Sequence, residues 1–175
     1  MRIYFLVPDH EIPSWGIGMI YHLAISSIDL GLDAQILRMS ESTSVPAWLN
    51  AIVQQSTLPA IKNQISNSDI LIIPEILVAD LKVQLLRARK VVLIQGSVMI
   101  PIGLKSYADY QALGYVHAIA IMPHIRKVLQ NFWPIHTTII SPFIAEYFFI
   151  TQEREEIRAR KKQILLYPKP GYREA

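Results

Sequence analysis

The sequence contains no cysteine, and this absence excludes several kinds of chemistry. Without thiols there is no disulfide, no thiolate nucleophile and no cysteine zinc site, and a reducing compartment is compatible with the composition. Charged residues make up only 18% of the 175 residues, and the formal net charge is +3. The basic residues are scattered except for Arg158, Arg160, Lys161 and Lys162, so nucleic-acid binding is not predicted.

Long hydrophobic runs are also missing. IYFLV near the start is too short for a signal peptide, and Asp9 follows it closely. The longest uncharged stretches, 42–61 and 128–145, contain Ser, Thr, Gln, Asn and Pro, whereas a membrane span needs about 20 mainly apolar residues. We therefore predict a soluble, cytoplasmic protein without a transmembrane segment.

Six short runs rich in Ile, Val and Leu recur with little polar alternation, which is typical of strands buried on both faces of a parallel sheet. They are 2–7, 34–39, 69–74, 90–95, 117–122 and 137–141. Helical spacing of apolar residues covers 17–28, ended by Gly31, and 125–132, between Pro123 and Pro134. Helical patterns are also present at 58–66, 76–88 and 105–113. This alternation predicts a Rossmann-like, doubly wound α/β domain over 1–150, with a mainly parallel sheet and helices on both faces.

The last 25 residues have a different character. The segment 151–162 carries acids first and bases last and is polar on nearly every side, so we predict a linker helix. The segment 163–168 is again strand-like, and we expect 163–175 to begin a second domain that is truncated at Ala175.

A glycine pair lies between the first predicted strand and the first helix. A dinucleotide fingerprint needs G-x-G-x-x-G directly after the strand. Gly16 and Gly18 match its first two glycines, but Tyr21 takes the third place and eight residues separate Gly16 from the strand. A typical NAD site is therefore not predicted, and no Walker A sequence occurs. Two interpretations stay open: the glycines let a loop turn into a helix, or the helix start faces an anion.

Polar residues follow several predicted strands, at the edge where open α/β sheets bind ligands. His10, Glu75 and His124 are the candidate catalytic residues by this criterion, and Gln95, Gly96 and Ser97 lie on the same edge. Each histidine has a structural alternative, and Glu75 has the alternative of capping the next helix. The histidine spacing does not predict a metal site. We expect His117 to be structural, and the tyrosines of 105–115 to be either packing residues or sugar-facing aromatic rings.

The order of these parts resembles the N-terminal domain of GT-B fold glycosyltransferases of the glycogen-synthase-like and mannosyltransferase-like kind. FLVP (5–8), WGIGMIYHLA (15–24) and LGLDAQIL (30–37) are similar to the family's first strand, glycine-pair helix and second strand. Further along, Gln95-Gly96, AIAIMPHIRKVL (118–129) and TTIISPFIAEYF (137–148) stand where the family has a strand ending in His or His-Gly, a strand entering a helix, and a strand ending in Ile-Pro-Asn-Gly. In the last of these, Phe143 replaces Asn-Gly.

The resemblance implies an enzyme that moves a sugar from a nucleotide-diphosphate-sugar to a sugar, polysaccharide or lipid-linked acceptor. The residues implied to face the donor diphosphate are Trp15, Gly16, Ile17 and Gly18; those on the acceptor side of the cleft are Glu75, Gln95, Gly96 and Ser97. Lys169 and Arg173 occupy the place of basic residues of the second domain that meet the donor phosphates.

The same resemblance implies that neither a cofactor nor a metal is needed, and that the protein is cytoplasmic, with peripheral contact at the inner face of the membrane. Because the second domain holds most of the donor, residues 1–175 alone are expected to be inactive.

A non-enzymatic α/β binding module of flavodoxin-like or receiver-like type is the alternative. Asp9 and Glu11 fit the acids that follow the first strand of a receiver, but the third strand ends at Glu75 rather than at an Asp. A nucleotide-dependent epimerase is disfavoured by Tyr21 in the third glycine position.

Overall fold

The computed structural model describes residues 1–9, 14–40, 53–105, 107 and 109–142, and within them the chain forms one sheet of seven parallel strands. The strands are β1 (Ile3–Val7), β2 (Ala34–Arg38), β3 (Gln55–Thr57), β4 (Ile70–Pro74), β5 (Arg89–Ile94), β6 (Tyr115–Ala120) and β7 (Thr137–Ile139). Their order across the sheet is β3-β2-β1-β4-β5-β6-β7. The predicted doubly wound, Rossmann-like α/β fold is confirmed.

Apolar runs without alternation become the central strands because both sheet faces are covered. In β2 every residue is buried, and in β1 and β4 all but the first residue are buried. The strand order reverses between β1 and β4, and right-handed crossovers then place the helix after β1 on one face and the helices after β4, β5 and β6 on the other. Helices on both faces were predicted and are found.

Two long helices lie where the periodic patterns predict them. Helix α1 spans Trp15–Asp29, and Gly31 follows it with a φ of 80°, a left-handed conformation that suits glycine at a helix end. Helix α5 spans Pro123–Phe132, with proline at its first position, and buries Ile125 and Leu129. Both are long enough for one apolar face to dominate the pattern.

The shorter helices depart from the sequence-based expectation. The pattern at 58–66 forms only α2 (Leu58–Ile61), and 76–88 is divided into a 3-10 turn (Glu75–Leu77) and α3 (Leu81–Gln84). The division occurs at Asp80, whose carboxylate accepts a hydrogen bond from Lys82 N at 2.8 Å and so starts a new helix.

The helix predicted at 105–113 is wrong. A short helix, α4 (Met99–Leu104), comes earlier and ends at Lys105, whose φ is 56°. The described residues that follow form turns, one of them closed by a hydrogen bond from Ala112 N to Asp109 Oδ1 at 2.7 Å. Strand β3 was also not predicted, because a three-residue polar segment at a sheet edge carries no apolar run.

The predicted linker helix 151–162 and the predicted second-domain start 163–175 lie outside the described residues, as does the end of the predicted 1–150 domain after Pro142. In the part of the chain that is described, no helix is both long and apolar enough to cross a membrane.

Candidate functional site

The sheet order creates a crevice at the carboxyl ends of β1 and β4. These strands are neighbours, but the chain leaves them toward opposite edges of the sheet, β1 toward β2 and β4 toward β5. Open α/β sheets bind their ligands at such a topological switch point because the connecting loops separate there. We use "switch-point site" for Gly16, Glu75, Gln95 and Gly96, which meet at this edge.

Glu75 follows the last residue of β4 and is 4% exposed. Its Oε1 atom accepts two backbone hydrogen bonds, from Gln95 N and Gly96 N, each at 3.1 Å. Burial raises the pKa of Glu75, and the N–H donors oppose this rise because they favour the charged form. The carboxylate therefore ties the end of β4 to the loop after β5. Its own backbone N–H, in the first turn of the 3-10 helix, also favours the charged form.

Gln95 connects this carboxylate to the glycine pair. Its half-buried side chain donates a hydrogen bond from Nε2 to Gly16 O at 3.0 Å. A Cβ atom on Gly16 would overlap Oε1 at the end of the Gln95 side chain, so a larger residue here would displace that side chain. The structure thus brings together residues that the sequence assigned to two different sides of a cleft.

The start of α1 presents backbone N–H groups at the same edge. Ser14 precedes the helix, and among the described residues no side chain caps its first turn, which also contains no acid. Trp15 is 59% exposed, and Gly16 and Gly18 are half-buried. The side chain of Ile17 lies in the core, so its backbone N–H group is what Ile17 offers to a ligand. The first turn of a helix in this state attracts anions.

Tyr21 explains why the dinucleotide fingerprint is incomplete. The third glycine of that fingerprint lets the helix pack closely on the strand. Here Tyr21 is fully buried beneath α1, and its hydroxyl group donates a hydrogen bond to Gln55 Oε1 in β3 at 3.2 Å.

Arg38 is a residue that the sequence analysis missed. It ends β2, pairs in register with Val7 and is 6% exposed. Its Nη2 atom lies 3.7 Å from Asp9 Oδ1, directly after β1. The signal was present in the sequence, since a lone arginine ends the apolar run AQILR. It adds an enclosed positive charge to the edge that carries the start of α1.

Gly103 was also missed, although it packs against the backbone of Glu75 in the switch-point site. A Cβ atom at this position in α4 would overlap the carbonyl oxygen of Glu75, so α4 packs directly on the turn that carries the buried carboxylate. Its role arises from a neighbour 28 positions earlier in the chain, which no local pattern reveals.

The tyrosines near the site are packing residues. Tyr110 and Tyr115 are buried and form an edge-to-face pair with centroids 5.9 Å apart. Burial raises the pKa of Tyr110, and the charge of Glu75 raises it further. Tyr107, in contrast, is 41% exposed. Of the aromatic rings proposed to face a sugar, the structure leaves only this one open to solvent among the described residues of that stretch.

Two of the remaining predicted residues are described. Ser97 is half-buried directly after Gly96, and the side chain of His124 is exposed at the start of α5. His10, Lys169 and Arg173 lie outside the described residues.

A cavity of about 380 Å³ lies elsewhere, between α2 and α3. Leu58 and Leu86 contribute to its apolar lining, and Lys62 and Lys82 lie at its wall. None of the predicted site residues lines it, so the cavity and the switch-point site are separate features.

No protein-family description matches the chain, and no curated protein is significantly similar to it. The site therefore has to be interpreted from its own chemistry. It combines the backbone N–H groups at the start of α1 with the guanidinium of Arg38 at the end of β2, and these positive groups suit an anionic ligand. In the described part of the chain no group of three or more His, Asp or Glu side chains is arranged to hold a metal ion.

Proposed function

We propose that this chain supplies the acceptor-binding half of a glycosyltransferase that uses a nucleotide-diphosphate-sugar, with the Gly16–Gly18 turn facing the donor diphosphate. The observation that carries the proposal is the contact between Gly16 and Gln95. This hydrogen bond connects the Gly16–Gly18 turn, which the resemblance assigns to the donor, with the loop of Gln95 and Gly96, which it assigns to the acceptor.

The chemistry of sugar transfer suits this unit. When the glycosidic bond to the diphosphate breaks, negative charge develops on the leaving group, and preorganised donors lower the energy of that charge. The first-turn N–H groups of α1 are such donors, and the positive end of the helix dipole acts in the same direction. Arg38 contributes a positive charge at the same sheet edge. This arrangement requires no metal ion for the step.

Glu75 serves in this proposal as a positioning residue. Its Oε1 is taken up by two backbone donors and the side chain is almost fully enclosed, so it holds the acceptor-side loop in place rather than reacting with substrate. Gln95 and Gly96 then present the loop to the acceptor.

The alternative modules are less compatible with the strand order. Flavodoxin-like and receiver-like domains have the order 2-1-3-4-5, whereas this sheet continues β3-β2-β1-β4-β5-β6-β7. A dinucleotide-dependent epimerase shares the observed order, but the buried ring of Tyr21 occupies the place of the glycine that such a site needs.

Transfer by the full-length protein tests the proposal. We expect release of nucleoside diphosphate from one member of a panel of nucleotide-sugars when an acceptor is present. Gly16→Val should lower turnover at least about tenfold, because a branched side chain blocks close backbone approach. Gly18→Val should act in the same direction. Ser26→Val is the matched control, since it adds the same side chain to an exposed position of α1.

Two results would contradict the proposal. One is the absence of transfer with every nucleotide-sugar tested, and the other is a folded Gly16→Val protein with unchanged turnover. Calorimetric titration of residues 1–175 with the active donor should show weak binding or none. Tight binding there would refute the assignment of the main donor site to a second domain.

A further inference from the structure

Two histidines form a close pair toward the amino ends of the strands, whereas the switch-point site lies at their carboxyl ends. His117 lies in the first half of β6, and His136 directly precedes β7. Their Nδ1 atoms are 2.8 Å apart, and the backbone joins them through a hydrogen bond from Ala118 N to His136 O at 2.9 Å. His136 is exposed and His117 is half-buried, so solvent reaches the pair. We use "histidine pair" for these two residues.

The orientation of the rings differs from that of a straight hydrogen bond. The ring centroids are 4.6 Å apart and the Nδ1 atoms 2.8 Å apart, a difference of 1.8 Å. If the N–H···N contact were linear, the centroid distance would exceed the Nδ1–Nδ1 distance by twice the distance from an imidazole centroid to its nitrogen. The observed difference is smaller than that. The two Nδ1 directions therefore do not lie along the line that joins the two atoms. Hydrogen bonds weaken with such bending.

Thr138 contacts one ring of the pair. Its hydroxyl oxygen lies 2.9 Å from His117 Nε2, and when Nε2–H donates to it, Nδ1 is left with a lone pair. Metal-bound histidines characteristically donate their other ring N–H to an acceptor in this way.

We propose that the histidine pair is a binding site for a divalent transition-metal cation, held by the Nδ1 atoms of His117 and His136, with tetragonal Cu²⁺ or Ni²⁺ preferred over tetrahedral Zn²⁺. With metal–nitrogen bonds of about 2.0 Å, two ligands at a right angle lie about 2.8 Å apart, whereas two tetrahedral ligands lie about 3.3 Å apart. The observed separation is 2.8 Å. The separation of the two Nδ1 atoms therefore matches the right-angle arrangement more closely than the tetrahedral one.

The protein would occupy only two coordination positions. Among the described residues no third His, Asp or Glu completes a group with the pair, so water or an external ligand fills the remaining positions. The bound ion would cross-link β6 to the start of β7, which is the edge strand and only three residues long. The inference is independent of the proposed sugar transfer, because the pair lies toward the amino ends of β6 and β7.

Calorimetric titration of the tag-free protein with NiCl₂ and ZnCl₂ near neutral pH tests the site. We expect about one equivalent of Ni²⁺ to bind, more tightly than Zn²⁺. His117→Ala and His136→Ala should each lower the Ni²⁺ affinity at least about tenfold, since one imidazole remains. Thr138→Val should lower it by a smaller factor through loss of ring orientation. Selective paramagnetic broadening of the His117 and His136 ring resonances by Ni²⁺ would support the same assignment.

His22→Ala is the control, because it removes an exposed histidine of α1. It should leave Ni²⁺ binding unchanged. Equal Ni²⁺ affinity in the wild type and in a folded His117→Ala, His136→Ala double variant would overturn the site. Tighter binding of Zn²⁺ than of Ni²⁺ would overturn the tetragonal geometry.

Discussion

Glu75 and the histidine pair show how position in the sheet determines what a polar group does. Glu75 lies at the end of a central strand, is 4% exposed and receives two backbone hydrogen bonds. The histidine pair lies beside the edge strand, is open to solvent and is held mainly by side chains. A buried charge has to be satisfied by the fold itself, whereas an exposed pair contributes little to folding. Substitutions at the two places should therefore differ strongly in their effect on stability.

Gly103→Ala should cause the largest loss, because its methyl group would overlap the backbone oxygen of Glu75 and force α4 away from the 3-10 turn. We expect the free energy of unfolding to fall by about 3 kcal/mol, as for severe overpacking of a core. The midpoint of urea denaturation measures this. Gly96→Ala is the matched control, since its Cβ would lie 3.7 Å from Met99 Cγ, an ordinary contact. Equal midpoints for both variants would show that α4 adjusts easily.

Glu75→Ala should have the next largest effect. It leaves the N–H groups of Gln95 and Gly96 without their acceptor in a mostly enclosed place, which costs about 2 kcal/mol. Glu75→Gln should cost less, because its amide oxygen can still accept. If urea denaturation shows Glu75→Ala to be as stable as the wild type, the carboxylate does not hold the loop.

The pH dependence of the Glu75→Gln comparison sharpens this prediction. The folded-state pKa of Glu75 is raised above its usual 4.5, so the native state holds the proton over a range where the unfolded state has lost it. The contribution of Glu75 to stability is therefore present below pH 4.5 and declines as the pH rises through the folded-state pKa. The stability advantage of the wild type over Glu75→Gln should shrink over this window. An advantage that grows with pH would contradict the raised pKa.

Gln95→Ala should have an intermediate effect of about 1 kcal/mol, from loss of the hydrogen bond to Gly16 O. Gly16→Ala should also destabilise the wild type, because its Cβ would overlap the Gln95 side chain. In the Gln95→Ala background that overlap is absent, and the alanine should be tolerated. A double-mutant cycle measured by urea denaturation is expected to give a coupling of at least about 0.5 kcal/mol. Simple additivity would show that the two residues do not interact.

The sequence predicted the fold from its long elements and failed on its short ones. The apolar runs and the two periodic helices give a doubly wound sheet because burial on both faces leaves a strong pattern. The helices within 58–113 could not be predicted in detail, because their boundaries depend on single interactions such as the cap at Asp80 and the positive φ of Lys105. Such features are set by local geometry rather than by periodicity.

The sequence predicted which residues lie at the ligand-binding edge of the sheet, but it did not predict the hydrogen bonds between them. The ends of parallel strands share one edge, so Glu75, Gln95 and Gly96 were expected together there, and the helix start placed Gly16 nearby. The hydrogen bond between Gln95 and Gly16 joins residues 79 positions apart, and its direction depends on how the two loops pack. The roles of Arg38 and Gly103 also arise only from neighbours in space. His117 was expected to be structural, and its contact with His136 was not foreseen.

His117→Gln should have the smallest effect on stability, below about 0.5 kcal/mol, because the pair is largely open to solvent. The direction in which this effect changes with pH is nevertheless defined. The folded-state pKa of His117 is lowered from 6.5, so the unfolded state takes up the proton first as the pH falls. The wild type should lose a little stability below pH 6.5, and His117→Gln should lack this loss. Urea denaturation at several pH values measures the difference, with His22→Gln as the exposed control. A loss of 2 kcal/mol or more, about the size expected for Glu75→Ala, would mean that the pair belongs to the folding core and would remove the contrast between centre and edge.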